Sequence, residues 1–329
     1  MNITILTYSV ISFILFYFLA KISYKLNLVD LPNKRKLHSK ATAFTGGIVI
    51  SIIFLIGIKY FKVSEEDLNL ILSIGFLIAC VGFIDDIYNL NTGGKLSLQI
   101  IPVFYLIVFE GLILNDIGDY NIFILQLGSF SVPFTFLCVL FLINSFNYFD
   151  GLDGTLSFSS LSTLLILCYV VPSSDFRLFI LIIIIPLCIF LMFNFSVFKL
   201  PKIFLGDGGS LLLGFIISFI LIFLAKEKIS HPIILAWSVN IFVFEFLSLN
   251  LIRLKNKKNP FKASQDHLHH ILYNKTKSKF LTNLFISVTN FIFFVCGYFS
   301  FLINPLSSFI FFVALFFIFF NLRNLYSKK

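Results

Sequence analysis

The sequence predicts an all-α fold, a polytopic transmembrane helix bundle of about 10–11 spans, and three observations predict it. Of 329 residues, 58% are hydrophobic and 12% charged, roughly half the charge of a soluble domain, and mean hydropathy is +0.98. Apolar runs that approach the length of a bilayer crossing recur from end to end. Basic residues, finally, collect in alternate connections between those runs. So little charge could not cover a globular surface, so residues 1–329 are read as one integral membrane domain. The net charge of +9 is assigned to membrane orientation and phosphate ligands; membrane lipids are expected partners and nucleic acid is not.

Taken in order, the predicted spans run over Ile3–Leu19, Gly46–Tyr60, Leu68–Ile84, Leu98–Leu114, Pro133–Phe146 and Leu156–Val171. Phe176–Phe195, Ser210–Ala225, Ile233–Ile252, Phe280–Ile303 and Leu306–Leu322 follow. The first lacks a basic leader before it and a small-residue cleavage site after it, so it reads as a span and not a signal peptide. Around residues 120–133, "NIFILQLGSFSVPF" alternates and contains Gly-Ser, which predicts a short extracytoplasmic hairpin. Each of the five cysteines lies inside an apolar run with no CxxC pair, so they read as small packing residues.

Orientation follows from the basic residues. Twenty of the 25 Lys and Arg fall on one side of the predicted bundle, which puts the N-terminus outside and the C-terminus in the cytoplasm. The same partition gathers the chemistry inside. His38, His267, His269 and His270 fall there, with Asp85, Asp86, Asp150, Asp153, Asp207 and Asp266.

"GFIDDIYNL" sets Asp85 and Asp86 where the third run reaches the interface. Adjacent carboxylates repel, and a divalent cation or a proton would relieve them; a solvated helix end is the plainer alternative. In "NSFNYFDGLDG", Asn144, Asn147, Asp150 and Asp153 recur every three residues, which predicts neighbours along one helix, or a capping turn. "KIFLGDGGS" places Asp207 directly before an apolar run, as an N-cap or as a metal ligand beside a helix N-terminus. "NPFKASQDHLHHIL" carries three histidines in the most basic loop, where imidazolium and ammonium would suit a diphosphate or an anionic headgroup. "VDLPNKRKLHSKATAFTGGI" adds Lys36 and His38 among other bases, which also serve as orienting charge. Glu245, inside the ninth run, is either functional or the partner of Arg253 eight residues on. Acids, bases and glycines converging at one interface suit metal-assisted phosphoryl chemistry. A transporter or flippase, the rival from another class, would carry its charges near the bilayer midplane.

With "DLPNKRKLH…GGI", "GFIDDIYNL", "NSFNYFDGLDG", "KIFLGDGGS" and "NPFKASQDHLHH" in that order, the chain resembles the polyprenyl-phosphate N-acetylhexosamine-1-phosphate transferases over nearly its whole length. "HLHH" after "RxxxxxxPF" resembles the branch that uses UDP-N-acetylglucosamine and undecaprenyl phosphate to start O-antigen, enterobacterial common antigen or teichoic acid synthesis. The resemblance implies a UDP-N-acetylhexosamine donor, an undecaprenyl phosphate acceptor, Mg²⁺ with Mn²⁺ as an alternative, and a bacterial inner-membrane location; a homodimer is allowed. It implies that Asp207, with Asp86, holds the metal and that Asp85, Asp86 and Asp150 are catalytic. Lys36, His38, Asn144, Asn147, Asp153, Lys202, Arg253, His267, His269 and His270 are implied to bind substrate. Three departures stand out: the family's Pro-Thr-Pro is Ala41-Thr42-Ala43, its Asp-Arg before the histidines is Ser264-Gln265, and its Asp in the ninth run is Glu245. They leave the phosphate set intact and leave the sugar open.

Overall fold

The computed structural model describes residues 2–32, 40–259 and 266–327. Helix α1 (Asn2–Lys25) leads to a two-stranded ladder of β1 (Val29–Asp30) and β2 (Thr42–Ala43), then to α2 (Gly46–Phe61) and α3 (Glu66–Tyr88). α4 (Thr92–Phe104) runs on as a π-turn to Phe109, and an antiparallel hairpin of β3 (Asp116–Asp119) and β4 (Ile124–Gln126) follows. Then come α5 (Ser131–Phe149), α6 (Thr155–Val170), α7 (Ser174–Asn194), α8 (Gly206–Lys226), α9 (Pro232–Ser238) and α10 (Asn240–Lys255). α11 (Leu268–Thr276), α12 (Lys279–Ile303) and α13 (Pro305–Ser327) complete the chain.

Eight helices are long and apolar enough to cross a membrane, nine if α9 and α10 count as one bent span, and α2 and α6 are shorter apolar helices of 16 residues. The predicted bundle is therefore present, with two changes. The hairpin starts earlier than its sequence suggested: pairing spans Asp116 to Gln126, while Gly128–Phe130 is already a 3₁₀ turn entering α5. The ninth run is not one rod, because α9 and α10 meet at 75°. Such a break strands backbone carbonyls among apolar side chains, where they must find donors. Asn290 Nδ2 (3.3 Å) and Thr163 Oγ1 (2.9 Å) donate to the Ser238 carbonyl, and Asn240 Nδ2 donates to those of Trp237 (2.7 Å) and Asn290 (3.0 Å). α6 and α12 thus weld the bend.

α8 is the axis of the molecule, buried from Gly208 to Leu224. α2, α3 and α5 pack round it, and glycines allow the approach. A Cβ on Gly82 of α3 would stand 2.4 Å from the Asp207 carbonyl, and one on Gly47 of α2 would stand 1.9 Å from the Gly209 nitrogen. The segment before α8 is zipped to β2 and α2: Phe204 N–H donates to the Ala43 carbonyl (2.7 Å), while Gly46 and Gly47 N–H donate to the carbonyls of Phe204 (3.0 Å) and Leu205 (2.8 Å). Those two bonds satisfy amides at the first turn of α2 that have no intrahelical partner. α13 lies at the periphery, with 6% of its apolar window buried.

Side-chain contacts sort the connections into two ends. One end joins Lys226 to Asp67 (3.5 Å) and His231 Nε2 to the Asp119 carbonyl (3.0 Å). The other carries the residues described next.

Candidate active site at one end of the bundle

Asp85 and Asp86 are neighbours on α3, about 100° apart round the helix, so they face different partners. Asp86 reaches over the start of α8: its Oδ1 accepts from Asp207 N–H (3.0 Å) and its Oδ2 from Gly208 N–H (3.3 Å). Of the two readings open for Asp207, N-cap or metal ligand beside a helix N-terminus, the N-cap does not hold. Asp207 sits in the first turn, Leu205 holds the cap position without a side-chain bond, and the capping carboxylate comes from another helix.

Asp85 turns elsewhere. Its Oδ1 accepts from Leu90 N–H (2.8 Å), and its Oδ2 lies 2.8 Å from Lys95 Nζ. That ammonium is also 2.6 Å from Asp207 Oδ2, so two carboxylates from two helices share one cation. Asp207 Oδ1 accepts from Asn147 Nδ2 (2.8 Å), which donates to Ser210 Oγ as well (2.8 Å). Lys95 was not singled out in the sequence, although it is the single basic residue between the third and fourth runs.

The three-residue spacing of Asn144, Asn147, Asp150 and Asp153 does not lay them along one helix, because α5 ends at Phe149. Asp150 is its C-cap, and Asp153 lies in a turn closed by Gly154 at φ +78°. Asn144 Nδ2 donates to the Leu140 carbonyl of its own helix (2.7 Å). Burial, reinforced by the charges of Asp207 and Asp153, pushes the Asp150 carboxyl up to about 8. Asp153 Oδ2 holds both Lys202 Nζ (2.6 Å) and Lys279 Nζ (2.5 Å), the latter unmarked in the sequence. Asn283 Nδ2 fixes the turn through the Asp153 carbonyl (2.8 Å).

The histidines ride on α11. His269 is buried, and its Nε2 faces the Asp150–Gly151 turn so closely that a Cβ on Gly151 would stand 2.2 Å away. His267 packs edge-on against Tyr148 (5.3 Å between ring centroids), and the His269 and His270 rings are 4.4 Å apart. The sequence favoured imidazolium here, whereas burial in the structure shifts all three rings toward the neutral form. Burial, followed by the Arg253 charge, pulls His267 down to about 4. Burial lowers His269 further, helped by the neighbouring histidines, and lowers His270 despite Asp266.

The Glu245–Arg253 pairing is corrected as well. Eight residues span about 12 Å of helix axis, beyond the reach of a direct pair. Arg253 instead binds Asp266 (Nη2 to Oδ1, 2.8 Å) and stacks over Tyr148, while Glu245 binds Arg323 of α13 (Oε2 to Nε, 3.0 Å). Lys36 and His38 lie outside the described residues.

Among the described residues, no three His, Cys, Asp or Glu side chains are grouped to hold a metal ion by themselves. A hard divalent ion such as Mg²⁺, however, takes one or two carboxylates and completes its shell with water and phosphate oxygens. Asp207 and Asp85, already aimed at a shared cation, fit that demand. Asp86 fits it less well, since each of its oxygens already accepts an amide.

Two carboxylates round one cation, with lysines and a buried imidazole beside them, suit the handling of phosphate at the end of a lipid-spanning bundle. Fold and site together define a polytopic membrane phosphotransferase. Comparison with known proteins is more specific. Residues 68–225, which hold every acid of the site except Glu245 and Asp266, match the profile described as Glycosyl transferase family 4. The chain is 30% identical over 309 residues to a probable undecaprenyl-phosphate N-acetylglucosaminyl 1-phosphate transferase of Bacillus subtilis, covering 91% of this chain and 83% of that one. It is 27% identical over 287 residues to the undecaprenyl-phosphate alpha-N-acetylglucosaminyl 1-phosphate transferase of Escherichia coli (strain K12), covering 83% and 77%. The Yersinia pestis protein of the same name is 28% identical over 270 residues, covering 78% and 73%. The chain belongs to glycosyltransferase family 4.

Proposed function

We propose that this enzyme transfers N-acetylhexosamine 1-phosphate, GlcNAc 1-phosphate foremost, from a UDP-sugar to undecaprenyl phosphate and releases UMP. The reaction is placed at the cytoplasmic face of a bacterial inner membrane, as the first membrane step of a surface polysaccharide. The observation that carries the reading is the convergence of Asp85, Asp207, Lys95 and Asn147 from four helices at one end of the bundle. The names of the relatives support the acceptor and the transferred group, and the positive-inside bias supports the orientation.

An oxygen of the lipid phosphate attacks the donor's sugar-bearing phosphorus, and the bond from that phosphorus to the bridging oxygen of UMP breaks. A bound and oriented phosphate needs no second nucleophile, so attack is direct. Lys95 offers charge to phosphate oxygens, Asn147 holds Asp207 in place, and Lys202 with Lys279 flanks the donor side. Asp150, protonated near neutral pH, is a hydrogen-bond donor to a phosphate oxygen. The buried neutral histidines line the sugar-diphosphate path and exclude water. Mg²⁺, with Mn²⁺ as substitute, would be held by Asp207 and Asp85 and would supply charge neutralisation at the diphosphate.

The test follows label from UDP-GlcNAc into extractable lipid, with and without EDTA, in purified enzyme and in Asp207→Asn. Label should appear in lipid, disappear with EDTA, and fall at least about 100-fold in the variant, as for loss of a principal transition-state electrostatic contact. Label that fails to reach lipid from any UDP-HexNAc would overturn the reading. EDTA-resistant transfer would overturn the metal assignment.

A further inference from the structure

α13 contributes almost nothing to the packed interior, yet one of its residues is among the most deeply buried charges in the molecule. Arg323 is 3% exposed, and so a peripheral helix reaches into the site near its C-terminal end. There it meets Glu245 of α10, itself 1% exposed, with Nε on Oε2 (3.0 Å) and Nη2 on Oε1 (3.2 Å). Arg323 Nη2 also donates to the Asp266 carbonyl. Glu245 Oε1 in turn accepts from Leu268 N–H (2.8 Å), the first amide of α11. One forked ion pair therefore grips the chain on both sides of His267, while Arg253 holds the Asp266 side chain.

The grip has a purpose in this chain. From residue 254 to residue 279 the chain around the histidines carries no arginine of its own. A carboxylate as buried as Glu245 is tolerated only when paired and hydrogen-bonded, and planar guanidinium suits it in a way a lysine ammonium does not. The pair also ties α10, α13 and the start of α11 together. Ser308 anchors the opposite end of α13, accepting from Trp237 Nε1 (2.9 Å), so the helix is pinned at both ends by polar contacts.

We propose that Arg323 is a positioning residue of the transfer site: through Glu245 and the Asp266 carbonyl, the C-terminal helix fixes where the histidine helix stands against the Asp150–Gly151 turn. The proposal rests on the site being the transferase centre described above. It makes the last, lipid-facing helix a determinant of turnover.

The experiment uses full-length protein in lipid nanodiscs, as wild type, Arg323→Lys, Arg323→Gln and the doubly neutral Glu245→Gln/Arg323→Gln. Three readouts are taken: amide hydrogen exchange over α11, thermal midpoint, and kcat and KM for UDP-GlcNAc. Arg323→Gln should speed exchange in α11 at least tenfold while α8 stays protected, and lower kcat at least tenfold. Arg323→Lys should recover only part of both. The double variant, which leaves no lone buried charge, should regain the thermal midpoint without regaining kcat. Unchanged α11 exchange in Arg323→Lys and Arg323→Gln overturns the proposal, as does a double variant that regains kcat together with stability. If wild type transfers no sugar phosphate, the functional reading fails, and the exchange data still decide whether the clamp exists.

Discussion

Asp150 and the histidines resist ordinary protonation in opposite directions, and each makes a separate pH prediction. Asp150 is raised to about 8 in the fold, against roughly 3.9 for a free carboxyl. The folded state then binds more protons than the unfolded one across that window, so this contribution is complete at low pH and lost as pH rises through about 8. Asp150→Asn should therefore melt higher than wild type above pH 8 and alongside it below pH 4, read by thermal unfolding in detergent. His267 has the reverse sign. Lowered to about 4, it stabilises the fold above roughly 6.5 and loses that contribution as pH falls toward 4. Amide exchange in α11, corrected for intrinsic rates, should accelerate at pH 5 before that of α8. None of this was legible in the sequence, because His269 beside the Asp150–Gly151 turn and Tyr148 against His267 come from segments more than a hundred residues away. Asp85, Asp86 and Asp207 were legible, since carboxylates beside apolar runs demand a reason. Lys95 was not, since a lone loop lysine looks like an orienting charge.

Helix boundaries were legible wherever an apolar run ended in Gly, Pro or charge, and misleading where polarity concealed a break. Nothing in "LAWSVNIF" announces the bend at Val239, where Asn290 and Thr163 from two other helices satisfy the freed Ser238 carbonyl. The single-helix reading of Asn144 to Asp153 gave way to its capping-turn alternative: α5 ends at Phe149, Asp150 caps it, and Gly154 opens α6. Close helix approach yields a sharper prediction. At Gly82 a methyl group would strike the backbone of Asp207 and Gly208 at 2.4 Å, and backbone has little freedom to yield. Gly82→Ala should cost about 1–3 kcal/mol, as overpacking does. It should also lengthen the bonds by which Asp86 caps α8, so activity should fall with thermal midpoint. Wild-type stability in this variant would mean that α3 and α8 stand farther apart than described.

For the molecule as a whole, the acids of the site all lie at one end of the bundle, and the proposed orientation turns that end to the cytoplasm. Single cysteines in a cysteine-free background make the check. Lys228→Cys should react with an impermeant maleimide on intact cells, and Lys257→Cys only after permeabilisation; the opposite pattern would invert the orientation. The 75° junction between α9 and α10 carries a last implication. Beyond it, Arg253 lies about 20 Å out along a rigid arm, at 1.5 Å per residue. A ten-degree swing at such a lever would carry that guanidinium about 3–4 Å, farther than a hydrogen bond stretches. Gentle warming that slackens the Asn290 amide should therefore silence the enzyme well before it melts.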